Sequence, residues 1–283
     1  MGLNELASRL AGIEPLDRVA DPLTKVAAKL FPHGLVKDAL SGTWLGHPLH
    51  PLLTDVVIGS FTSASVLDLL GGRRAQPGAN TLAALGIASA LPTAAAGLSD
   101  WSDSSRADRR VGVVHATANV VGLGFYAASL RARAQGRRGT ATSLGLAGMA
   151  VMTVGGYLGG HLSYSDGVGV NNTFWLHGPG DWTPVLDDAE LPQRTPVRVD
   201  VDGTPVLLYR GAGGIRALAN RCSHAGGPLD EGEVDEGGKC VMCPWHQSVF
   251  RLEDGSVVHG PATAPQPAYD VRVQSGKLEV RAR

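Results

Sequence analysis

Two short segments near the C-terminus gather soft metal-binding side chains: Cys222-Ser223-His224 and Cys243-Pro244-Trp245-His246. Each offers one thiolate and one imidazole. Eighteen residues separate His224 from Cys243, enough for two loops to meet around one centre. Two cysteines and two histidines suit a tetrahedral zinc site. They suit equally a [2Fe–2S] cluster in which the cysteines hold one iron and the histidines the other. Residue types alone leave both chemistries open. A second set of candidates, His47, His50, His115 and His161, lies in an otherwise apolar region, with Asp55, Asp100, Asn119 and Asp166 nearby. Ionisable groups in or at the edge of a bilayer are costly, so these are functional candidates too.

The elements that must position these residues divide the 283-residue chain in two. A net charge of −1 gives no footing for a nucleic-acid partner. Four apolar stretches, 52–70, 81–98, 112–130 and 141–160, each approach the ~20 residues that cross a bilayer. Pro92 interrupts the second, and the pairs Gly155/Gly159 and Gly156/Gly160 predict close helix contact. Upstream, Asp21-Pro22 reads as a helix start, with Leu23, Val26, Ala27, Leu30 and Phe31 along one amphipathic face. No signal peptide is expected, because no apolar core follows a basic start. After Gly160 the composition turns to a Gly/Asn/Ser-rich linker at about 161–180 and then to β-branched runs. Val197–Val201, Pro205–Tyr209, Val257-Val258, Tyr269–Val273 and Lys277–Val280 are strand candidates, with a hairpin at Asp202-Gly203. The predicted fold class is α + β in separate domains: a four-helix transmembrane bundle followed by a small antiparallel β domain. The expected boundaries are an interfacial helical segment at 1–50, the membrane domain at 51–165 and the β domain at 166–283.

The Cys-x-His and Cys-x-x-His loops resemble those of Rieske [2Fe–2S] proteins. Gly226-Gly227-Pro228-Leu229, Pro244-Trp245, Phe250 and the segment Gly260-Pro261-Ala262-Thr263-Ala264-Pro265 carry the resemblance further. It implies that Cys222 and Cys243 hold one iron and His224 and His246 the other, with solvent-facing histidines. Ser248 stands where high-potential Rieske proteins place a serine that bonds a bridging sulfide, and Phe250 stands where they have a tyrosine. The cysteine pair that clamps the loops in cytochrome bc complexes is missing, with Gly227 and Trp245 at the nearest places. The chain therefore looks closer to the ferredoxin and oxygenase branch. Cys240 is expected to be a small buried residue and not a ligand. About 35 residues follow His246, too few for the catalytic domain of a complete Rieske oxygenase.

The stretch His47-Pro48-Leu49-His50-Pro51, with Asp55, Gly97–Trp101, His115 and Gly159-Gly160-His161, resembles an uncharacterised bacterial family of four-span membrane proteins. With four spans, the histidines and the β domain fall on one face. Asp55 is expected to pair with His115, His161 or Arg110. The imidazoles suit a b-type haem, another metal, a quinone, or a plain interfacial role. Their places near helix ends would put a haem at the bilayer edge. Arg73, Arg74, Arg131, Arg133, Arg137 and Arg138 outnumber Lys37, Arg106, Arg109 and Arg110 on the opposite face. That bias places the β domain on the extracytoplasmic side of a bacterial plasma membrane. The expected protein is a multi-pass, membrane-anchored electron carrier with a [2Fe–2S] cluster, serving a redox partner protein, a haem or a quinone. A ferredoxin-like donor to a separate oxygenase or reductase, and a redox sensor, are the alternatives.

Overall fold

A computed structural model describes residues 2–283 and divides them into two compact units. One joins the chain up to Phe31 to Leu49–Val168, and the other joins Pro32–Pro48 to Gly169–Arg283. The first fifty residues, expected as one interfacial segment, are thus shared between the two. Helices α1 (Leu3–Ala11) and α2 (Asp17–Leu30) go to the first unit, and α3 (Leu35–Ser41) goes to the second. Helix α2 begins four residues before the expected Asp21-Pro22 start, leaving Pro22 inside it. A tertiary contact accounts for the earlier start: Arg110 donates two bonds of 2.7 Å to the Asp17 carboxylate in the first turn.

In the helical unit, α4 (Leu49–Leu70), α5 (Gln76–Trp101), α6 (Arg106–Ala134) and α7 (Arg138–Tyr164) are each long and apolar enough to cross a bilayer. They pack as the hairpins α4–α5 and α6–α7, with α5 on α6 and α4 on α7. The bundle interior is built on Phe61 stacked on Tyr126 at 3.7 Å. Gly86 makes room for that ring, since a Cβ there would meet Phe61 at 2.5 Å. Polar groups turn inward: Arg133 pairs with Asp68 and donates to Asn80 at 3.1 Å, while Leu91 and Val120 stay exposed outside. Of the two α7 glycine pairs, one makes the expected close contact with a neighbouring helix and the other does not. Gly155 and Gly159 are notches for the side chains of Asn119 and His115, Gly156 meets nothing, and Gly160 touches only Tyr164.

The second unit holds two antiparallel sheets. The larger runs β1-β10-β9-β4-β3-β2 and the smaller β5-β6-β7-β8, where β1 is Thr183–Asp187, β2 Val197–Val201, β3 Thr204–Gly211, β4 Gly214–Ala219 and β5 Glu233–Val234. The remaining strands are β6 Cys240–Met242, β7 Val249–Arg251, β8 Val257–His259, β9 Ala268–Gln274 and β10 Lys277–Ala282. Asp202-Gly203 turns β2 into β3 with φ of 50° and 78°, the left-handed pair that a tight hairpin needs. Alternation along β3 then sends Leu207 and Tyr209 into one core and Val206 and Leu208 into another. The first of these cores also contains Cys222, Cys243, Phe250 and Ala262.

Candidate metal centre

Cys222-Ser223-His224 follows β4, and Cys243–His246 spans the turn between β6 and β7. Each loop is closed by its own backbone. In the first, Cys222 N–H donates to Gly227 and Gly226 N–H donates to Cys222, both at 2.8 Å. In the second, Cys243 N–H donates to the Ser248 carbonyl at 2.8 Å and Gln247 N–H to Cys243 at 3.1 Å. Gly227 lets the loops approach, because a Cβ there would fall 2.9 Å from Cys243 Sγ and 3.0 Å from the Trp245 ring. The Trp245 ring thus lies against Gly227 where the two loops meet.

The four donors form two unlike pairs. Cys222 and Cys243 are buried at 1% and 2% exposure, whereas His224 and His246 are half-buried with ring centroids 5.0 Å apart at 89°. The Cys222 thiol donates to the Cys243 sulfur, which pushes Cys222 up and draws Cys243 down to about 7. Backbone N–H groups of His224 and Ala225 point at Cys222 Sγ, and those of Trp245 and His246 at Cys243 Sγ. Among the described residues no three or more His, Cys, Asp or Glu side chains gather as a single-ion site. A core-facing sulfur pair and a surface-facing imidazole pair fit two irons with unlike ligands. N–H bonds to the sulfurs are the kind that tune such a cluster.

A third segment, Gly260–Gln266, locks the loops; Gly260–Pro265 and Ser248 were singled out in the sequence, whereas Gln266 and Asn172 were not. Ser223 Oγ donates to the Ala264 carbonyl at 2.7 Å, and Ser223 N–H donates to Gln266 Oε1 at 2.9 Å. Gln266 Nε2 in turn donates to the Ala219 and Arg221 carbonyls at 3.1 and 2.9 Å. Asn172 Nδ2 donates to the His224 carbonyl at 2.8 Å. Ser248, fully buried, accepts from Ala262 N–H at 2.9 Å. Cys240 lies away from the loops in β6 opposite Arg251 and is half-buried, less covered than expected because it sits in a strand of the smaller sheet.

Residues 181–270 match the family described as the Rieske [2Fe-2S] domain. The chain is 30% identical over 100 residues to the anthranilate 1,2-dioxygenase ferredoxin subunit of Burkholderia cepacia, covering 35% of this chain and 91% of that one. The chain belongs to the Rieske [2Fe–2S] family. A second Rieske relative, the 3-phenylpropionate/cinnamic acid dioxygenase ferredoxin subunit of Escherichia coli K12, is 33% identical over 91 residues, covering 32% of this chain and 83% of that one. Among solved structures, the ferredoxin of carbazole 1,9a-dioxygenase from Nocardioides aromaticivorans IC177 is 30% identical. It covers 37% of this chain and 100% of that one, with a TM-score of 0.35. Residues 46–172, before the Rieske domain, match a family described as predicted membrane protein (DUF2231).

The helical unit sorts the other candidates. His50 is the second residue of α4, not a residue before it, and His115 is ten residues into α6, about 14 Å from that helix start. Their rings lie 6.5 Å apart at 76°. His50 Nδ1 donates to the Thr93 carbonyl at 2.9 Å, and His115 Nδ1 donates to the Gly155 carbonyl at 2.7 Å. Asn119 Nδ2 reaches His115 Nε2 at 3.2 Å. His161 stands 3.5 Å from Asp166 instead. His47 belongs to the other unit, where its Nδ1 donates to the Pro48 carbonyl. Asp55 does not find the partners expected for it: Arg110 is taken by Asp17 and His161 by Asp166, and Asp55 is exposed on α4.

Proposed function

We propose that this protein is a membrane-anchored carrier of single electrons. Cys222 and Cys243 hold one iron of the cluster, His224 and His246 hold the other, and the redox partner lies at or in the four-helix unit. A [2Fe–2S] centre with two imidazole ligands takes and releases one electron at about −150 to +300 mV. The chain's own residues set where in that range it works. Four backbone N–H groups directed at the cysteine sulfurs withdraw charge and favour the reduced form. The Ser248 hydroxyl accepts from Ala262 N–H, which leaves its own proton to donate towards the cluster. Phe250 offers no such proton. An intermediate potential is expected, and a redox titration at either extreme of the range would refute it. The half-buried imidazoles supply the edge at which a partner approaches.

The observation that carries the membrane partner is the facing pair His50 and His115. Each Nδ1 is committed to a backbone carbonyl of a neighbouring helix, a common way to orient an imidazole whose Nε2 serves as a ligand; at His115 such a ligand would take the place of Asn119 Nδ2. Such a pair suits a b-type haem iron or the oxygens of a quinone. A reduced-minus-oxidised optical spectrum of the detergent-purified protein, with iron and haem content, tests this. Haem bands that vanish in His50→Ala and His115→Ala support the reading. The arginine bias favours a Rieske domain outside the cytoplasm, with lipid around α4 to α7. The second reading, a donor to a separate oxygenase or reductase with the helices as anchor, is supported by the ferredoxin-subunit relatives. Cluster absorption without haem, together with electron transfer unchanged in His115→Ala, would favour it.

A further inference from the structure

Residues Pro32–Pro48 lie far outside the matched Rieske region, yet they fold with it as one unit. Helix α3 presents Asp38 to the start of the segment that locks the two ligand loops. Both carboxylate oxygens are used: Gly260 N–H donates to Oδ1 at 2.7 Å and His259 Nδ1 donates to Oδ2 at 2.8 Å. Just after α3, Thr43 Oγ1 donates to the Ala262 carbonyl at 3.2 Å. The approach depends on glycine, since a Cβ at position 260 would fall 2.2 Å from Thr43 Oγ1. Beyond this contact the same segment reaches both ligand loops. Ala262 N–H donates to Ser248 Oγ, and the Ala264 carbonyl accepts from Ser223 Oγ. One residue, Ala262, therefore has its carbonyl held by the N-terminal strap and its N–H held by the serine beside the second ligand loop.

We propose that Asp38 and Thr43 are positioning residues for the cluster, holding His259–Ala264 closed over the ligand loops and fixing the Ser248 hydroxyl through Ala262. The proposal rests on the reading of Cys222, His224, Cys243 and His246 as ligands. Chemistry explains the choice of aspartate. A carboxylate accepts from two donors at once, and hydrogen bonds to a charged acceptor are stronger than neutral ones. Asparagine keeps one acceptor oxygen for the Gly260 N–H, but it loses the charge and keeps the His259 contact only if that ring changes tautomer to accept from the amide. The strap makes the Rieske unit of this chain discontinuous in sequence, with a segment preceding the first span completing the cover of a centre near the C-terminus.

The test uses the full-length, cluster-loaded protein in detergent, measuring hydrogen exchange across His259–Ala264 and the EPR spectrum of the reduced cluster. Asp38→Ala is expected to speed exchange at the Gly260 amide by about tenfold or more and to shift the EPR signal, with Asp38→Asn intermediate in both. Asp202→Asn, in a surface hairpin, should change neither. Thr43→Val, which removes one hydroxyl, is expected to act in the same direction and serves if Asp38→Ala does not fold. Unchanged exchange at Gly260–Ala262 in Asp38→Ala and Thr43→Val would overturn the proposal. Faster exchange with an unmoved EPR signal would also overturn it, by reducing the strap to a structural clasp. A wild-type protein without iron and sulfide would instead refute the ligand reading, while the exchange comparison would still decide whether the strap holds the segment.

Discussion

At the scale of single residues, the two cysteines and two histidines proposed as ligands differ in what surrounds them. Cys222 and Cys243 sit in the same core as Leu207 and Phe250, whereas the two imidazoles reach the surface. Cys222→Ser, Cys243→Ser and His246→Ala should abolish or alter the cluster absorption, and Cys240→Ser should leave it unchanged. Gly227→Ala is a subtler probe. Its methyl would collide with Cys243 Sγ and the Trp245 ring, so iron and sulfide content should fall although no ligand is lost. Ser248→Ala leaves a buried Ala262 N–H without its acceptor, which costs about 1–3 kcal/mol. It should also lower the midpoint potential, read by redox titration beside thermal unfolding. The proposed ligands and their spacing were legible from the sequence because both loops are local. Ser223, Gln266 and Asn172 were not, because each works through a bond to a residue more than forty positions away.

At the scale of elements, two contacts can be tested by stability. The Arg133–Asp68 pair joins α6 to α4 with side chains only 6% and 3% exposed. Removing one partner, as in Asp68→Ala, leaves an uncompensated buried charge and should cost about 3–5 kcal/mol, seen as a lower unfolding temperature in detergent. In the β unit, burial pushes the Tyr269 phenol up from 10 to about 12. The folded state resists forming the phenolate that the unfolded chain forms freely at pH 10. Stability should therefore be intact below pH 10 and decline between pH 10 and about 12, with phenolate absorbance rising as the unit unfolds. Tyr269→Phe should flatten that decline. The helices and the β2–β3 hairpin were readable from apolar length and from Asp202-Gly203. Strands β1, β4, β5, β6 and β7 were missed: β5 to β7 have two or three residues and too little periodicity to stand out, while β1 carries a proline and β4 is buried along its last three residues without a polar alternation.

At the scale of the whole molecule, the chain passes from the helical unit to the Rieske unit and back before the first span, then crosses again after the last. Membrane orientation can be tested at this scale. If the Rieske domain lies outside the cytoplasm, a cysteine placed at Asp202 in the exposed hairpin should react with an impermeant maleimide in intact cells. One placed at Arg74, between α4 and α5, should react only after lysis. The reverse pattern would move the domain inside. The arginine count behind this expectation loses one member on each face, since Arg133 is folded into the bundle against Asp68 and Arg110 is paired with Asp17.

The sequence by itself supplied the proposed ligand set and determined the two kinds of architecture. Ligand type, loop spacing, apolar length and strand alternation are local properties, written within a few turns or strands of chain. Only the tertiary structure decided which histidines meet. Four were candidates by their place in the spans, but helix packing brings His50 to His115, leaves His161 with Asp166 and assigns His47 to the other unit. The same holds for the strap. Nothing local marks Asp38 or Thr43, and their role exists because folding sets them against Gly260 and Ala262, more than 200 residues along the chain.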